Sequence, residues 1–362
     1  MAFISGIQII HAPASALNNA GKDQRTTVEN AVATKMIFVK GKEYPYISSQ
    51  SYRHWLRTTI QNTDERWKTA PVFREDKVAY SDANPIEYDD DDLFGYMRAE
   101  GNSTKAKESR NERKGFTPME KDGKGKSKTV TRITPFKVGT FVGMSSGITR
   151  DGFSSMSRHE GDPIPFQHQF YRTSLKGMFS LDLSSMGVFS YENRTGFLNL
   201  DDERIRLAQE RGLVHDDASK TYRLNDAERI ERITSLLQVM PIVSGGAKQG
   251  LHYTDVSPAV VVMAVTQGGN NPFQYLIDGD DEGNARPVLE AFEEVAEVWG
   301  DTILSPLYVG WVQGYAQGHR SSLKNKLETL SSKYPKGIVL DHPRNVFEQV
   351  TNSLQEHTEW LS

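Results

Sequence analysis

Few side chains in this sequence are spaced as catalysis demands, and those with chemistry to offer point instead to binding an anion. The nine histidines show no HExxH or similar metal-ligand spacing. Cysteine is absent, which removes disulfides, thiolate metal sites and a cysteine nucleophile. Asp23, Asp151 and Asp162 lie in segments without regular periodicity, where a metal-dependent nuclease could use them, but nothing in their spacing selects that role. The run Asp89, Asp90, Asp91 and Asp92 reads as a solvated acidic loop with at most weak affinity for Mg²⁺. No catalytic residue, metal ligand or cofactor is assigned.

The segment ISSQSYRHWLRTTIQ is more informative. Ser48 or Ser49 can cap a helix whose first turn presents unpaired N–H groups and a partial positive charge, both of which attract phosphate. Gln50, Arg53 and Arg57 fall at i, i+3 and i+7 on one face, while Tyr52, Trp55 and Leu56 can pack inward. An ordinary amphipathic helix with solvated arginines has the same spacing. Much later, SGGAKQG sets Gly245, Gly246, Lys248 and Gln249 between a helix and a strand. There glycine lets backbone amides approach a phosphate and the lysine adds charge, although such a segment can equally be a plain turn. Neither this loop nor Gly123–Ser127 has the spacing of a Walker A motif.

The elements that must position these residues can be traced in outline. Ile4, Ile7, Ile9 and Ile10 mark a buried first strand ending near His11 and Pro13, and a polar loop through Asn18, Asn19, Lys22 and Arg25 follows. VENAVATKMIFVK suits a second strand. From about residue 62 to 132 no apolar period is sustained, and DDLFGYM is the only core-like island. A second irregular stretch, 144–172, is rich in Gly and Ser and reads as a protruding loop. LKGMFSLDL and VFSYENRTGFLNL are strand material, and Asn225 with Glu228 opens a helix whose Ile230, Ile233, Leu237 and Met240 share a face. PAVVVMAVT suits a central strand, followed by helical PVLEAFEEVAEVW, strand-like LYVGWVQG and a terminal helix in RNVFEQVTNSLQEHTEWL. This order predicts an α+β chain built on a ferredoxin-like sheet with long insertions.

Composition sets outer bounds. The 362 residues suffice for one elaborated domain or two, and the net charge of −4 argues against a uniformly basic nucleic-acid binder. Ten Lys or Arg against four acids between Gly101 and Arg132 predict a cationic surface separate from the Asp89–Asp92 run. No run of about 18 apolar residues is present, and the start lacks a basic, apolar leader, so the expectation is a soluble cytoplasmic protein without a membrane partner.

Taken in order, ISSQSYRHWLR, DLFGYM and GGAKQGLHYTDVSP resemble the backbone subunit of type I CRISPR Cascade complexes, and most closely the DevR subgroup associated with type I-B systems. The first strand with its APASALNN loop and the segment MFSLDLSSMGVF extend the likeness over residues 1–270. The resemblance implies a modified RRM-like palm (1–61, 133–143 and 173–362), fingers at 62–132 and a thumb at 144–172. It also implies a non-catalytic role: copies of the chain would stack along CRISPR RNA, beside other Cascade subunits, and present the guide to target DNA. RNA contacts would come from Asn18, Arg25, Ser48, Ser49, Gln50, Arg53, Arg57, Gly245, Gly246, Lys248 and Gln249. Phe94 and Met97 of the fingers would lie against bases; the basic segment 105–132 suits electrostatic contact with target or displaced DNA, and its Gly and Lys content equally suits a disordered finger tip. Relatives in the wider superfamily cut RNA, so a metal-dependent ribonuclease is the alternative.

Overall fold

A computed structural model describes the chain except for residues 24, 25, 27, 28, 76, 77, 102, 104–107, 109–114, 122, 124, 126, 147 and 159 and the side chain of Ile148. Arg25 and seven of the ten Lys and Arg residues of the basic 105–132 segment thus lie outside the described residues.

The sheet is organised around the first strand, Ala2–Ser15. Its residues alternate between two cores: Ile4 and Ile10 join one, Ile7 and Ile9 the other, and all four are fully buried. Burial on both faces explains why the strand reads as a nearly continuous apolar run. It pairs antiparallel with Ile164–Asp182 on one side (Ile7 opposite Met178) and with Val260–Gln267 on the other (Ile7 opposite Val262). Phe141–Gly143 pairs antiparallel with the far side of Ile164–Asp182. Helix α1, Ser49–Thr63, connects the first strand towards this last one, and the helix Asp226–Val239 connects Ile164–Asp182 to Val260–Gln267. The four strands therefore stand in the spatial order fourth, first, third, second.

Helices cover both faces. Tyr52, Trp55, Leu56 and Ile60 of α1, Ile233 and Leu237 of Asp226–Val239, and Val346, Phe347 and Val350 of Pro343–Glu356 close one core. Phe292 and Val295 of Leu289–Trp299 and Leu323, Leu327 and Leu330 of Gln317–Leu330 close the other. Leu307–Trp311 and then Ile338–Asp341, in parallel with it, extend the sheet past Val260–Gln267. The helices and a large mixed sheet make this an α+β protein.

Several expectations are corrected. The first strand continues past His11 to Ser15 through a register shift after Ala12. Residues 144–172 are not an irregular loop: Ile148–Met156 and the first half of Ile164–Asp182 form a long hairpin, in register from Ile148 opposite Arg172 to Met156 opposite Ile164. VENAVATKMIFVK divides into Ala31–Thr34 and Met36–Val39. Only Val188–Ser190 of VFSYENRTGFLNL is a strand, and the helices Asp202–Glu210 and Gln317–Leu330 arise where none was expected.

The insertion 62–132 holds regular structure as well: the hairpin Val72–Glu75 with Val78–Ser81, a short helix α2 (Asp89–Phe94), and Tyr96–Arg98 paired with Val130–Arg132. The acidic run is α2 itself, and Asp90, Asp91 and Asp92 are buried rather than solvated. The reason is compensation by residues remote in sequence. Asp92 meets Arg132 and lies 2.7 Å from Arg232, Asp89 lies 2.7 Å from Arg232, and Asp90 lies 3.5 Å from Arg57 and accepts the Ala70 N–H. Asp91 accepts the Asn84 N–H at 2.8 Å and bonds to the Ser81 hydroxyl. The run is therefore not the anionic surface predicted from charge.

Candidate nucleic-acid interface

Helix α1 begins where expected. Ser48 has extended dihedrals (φ −66°, ψ 148°) and its hydroxyl accepts the Ser51 N–H at 3.3 Å, which satisfies one N–H of the first turn. Tyr52, Leu56 and Ile60 are fully buried, Gln50 is exposed, and Ser48, Ser49, Arg53 and Arg57 are half-buried at the surface. Tyr52 also accepts the Gln8 amide of the first strand.

The two arginines are held in place. Both guanidiniums lie over the Phe94 ring, at 5.5 Å for Arg53 and 4.5 Å for Arg57, and Arg53 donates to the Phe94 carbonyl. Burial and then the neighbouring Arg57 lower the Arg53 pKa from its ordinary value, so an anion set against the pair would relieve their repulsion. Phe94 itself is only 3 % exposed and packs edge-on against Phe136. The expectation that Phe94 lies against bases is corrected: its ring is a floor beneath the arginines, because it completes the main core. Met97, on the strand Tyr96–Arg98, is 65 % exposed.

The glycine turn packs directly on α1. A Cβ added to Gly245 would lie 2.3 Å from the Trp55 ring, and one added to Gly246 would lie 2.6 Å from Leu17. Gly246 also has φ +104°, a conformation that L side chains avoid. Ser244 donates its N–H to the Thr59 hydroxyl at 3.1 Å, and Ala247 donates to the Leu17 carbonyl at 3.0 Å. Asn18 closes the arrangement: its amide donates to the Tyr46 carbonyl at 3.0 Å, and its oxygen lies 3.5 Å from the Ser51 hydroxyl. Three remote segments thus pack side by side: Asn18 reaches the α1 cap through Ser51, and the glycine turn packs on Leu17 and on the middle of α1.

Gln249 is turned inward. Its amide donates to the Thr254 carbonyl at 3.1 Å and its oxygen accepts the Thr254 N–H at 2.9 Å, which stiffens the turn. Lys248, at φ +55°, stands beside a pair of imidazoles, His168 and His252, whose rings lie 4.8 Å apart. Burial lowers both histidine pKa values, with Lys248 adding to the effect, so both rings are neutral near pH 7. His252 also stacks on Phe170 at 4.9 Å. Phe166, His168 and Phe170 repeat every second residue up the hairpin, and Phe153 and Met156 nearer its tip are 73 % and 58 % exposed. The sequence reading missed this ladder, although its period of two was there to be found.

Two other groups bear on catalysis. Asp23 and Asp151 line one cleft of about 280 Å³ together with Glu43 and Gln169, whose amide donates to Asp23 at 3.1 Å. Among the described residues no three His, Cys, Asp or Glu side chains are grouped to hold a metal ion. Gly143–Gly147 carries the G-x-S-x-G spacing of a nucleophile elbow, contrary to the expectation that the sequence holds none; Ser145 there shares a 3.1 Å hydrogen bond with Thr173. Among the described residues no helix is long and apolar enough to cross a membrane.

The family model for the CRISPR-associated negative auto-regulator DevR/Csa2 matches residues 8–284, a span that takes in α1, α2, the hairpin and the glycine turn. The chain belongs to the DevR/Csa2 family. None of the curated proteins compared with it matches. Among solved structures, one chain of a CRISPR RNA-guided surveillance complex is similar over 97% of this chain and 99% of its own, with 13% identity and a TM-score of 0.49. A second, from a CRISPR RNA-guided surveillance complex described as pre-nicking, has 11% identity and a TM-score of 0.46 over the same shares of each chain. In this DevR/Csa2 member the matched span ends before Ala285–Pro287, so among the described residues the last three strands and the last three α-helices lie beyond it.

Proposed function

We propose that this DevR/Csa2 protein is a non-catalytic backbone subunit of a type I, I-B-like Cascade complex, whose copies coat the phosphate backbone of CRISPR RNA and leave the bases free to pair with target DNA. The observation that carries the reading is the packing of the glycine turn along helix α1: Ser244 bonds Thr59 and Gly245 packs on Trp55, across about 190 residues of sequence. A guide carrier must be neutral to sequence, and helix-terminal amides, glycine amides and arginines grip phosphate without reading base edges. The four-strand order at the centre of the sheet supports an RRM-like, ferredoxin-like palm. The two insertions then serve as fingers, which carry exposed Met97, and as a thumb whose exposed Phe153 and Met156 suit contact with unstacked bases or a neighbouring copy. Other Cascade subunits complete the particle.

The test is RNA binding by the purified chain across a salt series. The slope of log K against log [salt] should be about −0.7 per phosphate neutralised. Replacing Arg53 and Arg57 together by Gln should flatten that slope; an unchanged slope in a folded double variant refutes the proposed face. A ribonuclease reading draws on the shared cleft of Asp23 and Asp151. Mg²⁺-dependent cleavage of labelled RNA that disappears in Asp23→Ala would establish it and overturn the non-catalytic assignment.

A further inference from the structure

The C-terminal end of the sheet carries an edge and a cleft that RNA coating leaves unused. Ile338–Asp341 is the outermost strand: it pairs in parallel with Leu307–Gly310 on its inner side, and among the described residues no strand pairs with its outer side. An edge of this kind presents backbone N–H and C=O groups ready for another strand, and proteins normally cover or blunt it. Its pleat is divided. Val339 faces the core beneath Pro343–Glu356, whereas Ile338 and Leu340 face Gln317–Leu330 and are only half-buried.

Between those two side chains and the helix lies a cleft of about 450 Å³, also lined by Arg320, Lys324, Leu327 and Glu328. Arg320, Lys324, Leu327 and Glu328 fall at i, i+4, i+7 and i+8, one stripe of the helix facing the strand. The floor is apolar, from Leu327, Ile338 and Leu340, and the rim holds two cations against one acid. Two copies joined edge to edge about a two-fold axis would set these cationic rims against each other, which disfavours self-pairing.

We propose that this edge and cleft dock an extended segment of a different protein, one that adds a strand beside Ile338–Asp341, places alternate apolar side chains on Leu327, Ile338 and Leu340, and carries carboxylates for Arg320 and Lys324. Strand addition supplies affinity through main-chain hydrogen bonds, and the cleft supplies selectivity at every second residue. The site lies beyond the span shared with the family model, which ends at residue 284.

The experiment uses the full chain and a panel of fluorescein-labelled synthetic peptides alternating Val, Ile or Leu with Asp or Glu, read by fluorescence anisotropy. Binding by members of the panel is expected. It should fall more than about tenfold when alternate backbone nitrogens of the same peptide are methylated, since each lost hydrogen bond contributes on the order of a factor of five. It should fall about fivefold in Lys324→Glu, an exposed substitution that leaves the core untouched. Failure of every peptide to bind overturns the proposal, as does equal binding of the methylated and unmethylated forms. Concentration-dependent self-association abolished by Leu340→Lys would also overturn it, by assigning the edge to a second copy.

Discussion

The buried carboxylate Asp91 should make the stability of this protein fall as pH rises through neutrality. Burial, with neighbouring Asp90 adding to it, pushes its carboxyl up to about 7 from 3.8, against the opposing bonds from Ser81 and the Asn84 N–H. A carboxyl whose folded pKa lies above its unfolded value binds its proton more tightly in the native state. Its contribution therefore favours folding at low pH and is lost as pH climbs from about 4 to about 7. At 1.36 kcal/mol per pH step, the full span amounts to roughly 4 kcal/mol, an upper bound for one buried group.

The substitution Asp91→Asn isolates the effect. The amide oxygen can keep accepting from Asn84 and the amide nitrogen can donate to the Ser81 oxygen, so the variant reproduces the protonated carboxyl at every pH. Urea unfolding of both proteins from pH 4 to 8.5 should find the two closest in stability at pH 4, the gap widening mainly between pH 4 and 7, and the variant more stable by 1 kcal/mol or more, as an order of magnitude, at pH 8.5. His168 and His252, whose folded pKa values are lowered, lose stability in the opposite direction as pH falls through 6.5, but they act alike on both proteins and cancel in the difference. A constant difference across the pH range, or a variant less stable at pH 8.5, refutes the reasoning.

Gly245→Ala should cost about 1–3 kcal/mol, because the new methyl meets the Trp55 ring and Trp55 is itself packed in the core; thermal unfolding checks this, and RNA affinity should fall with it. Arg98→Met should cost about 3–5 kcal/mol, since Arg98 is fully buried and its loss removes the 3.2 Å ion pair with buried Asp82; denaturant unfolding at pH 7 measures it. Phe153→Ser with Met156→Ser should change stability by no more than about 0.5 kcal/mol, given the exposure of both residues, while weakening RNA binding or assembly, as filter binding and sedimentation would record.

How much of this was legible in the sequence depended on the distance over which each signal acts. The capped helix α1 and the Asn225-capped helix could be read directly, because cap, apolar spacing and outward charges all lie within one element. The packing of Gly245 on Trp55 could not, since nothing local marks which remote ring a glycine must clear. The Asp89–Asp92 run was misread because its compensating Arg57, Arg132 and Arg232 are scattered through the chain. In the hairpin, Gly and Ser on the strand Ile148–Met156 obscured a period of two carried mainly by its partner. Gln317–Leu330 escaped notice because only Leu323, Leu327 and Leu330 mark its buried stripe amid polar residues.

The central position of Ala2–Ser15 also shapes how the chain is made. This strand is synthesised before both of its neighbours, so Ile7 must wait for Met178 on one side and Val262 on the other. At the usual 5–20 residues per second, those partners emerge roughly 10–35 and 13–50 seconds later. For that interval an apolar strand lacks both of its native neighbours, so the nascent protein is most open to misassociation along Ala2–Ser15.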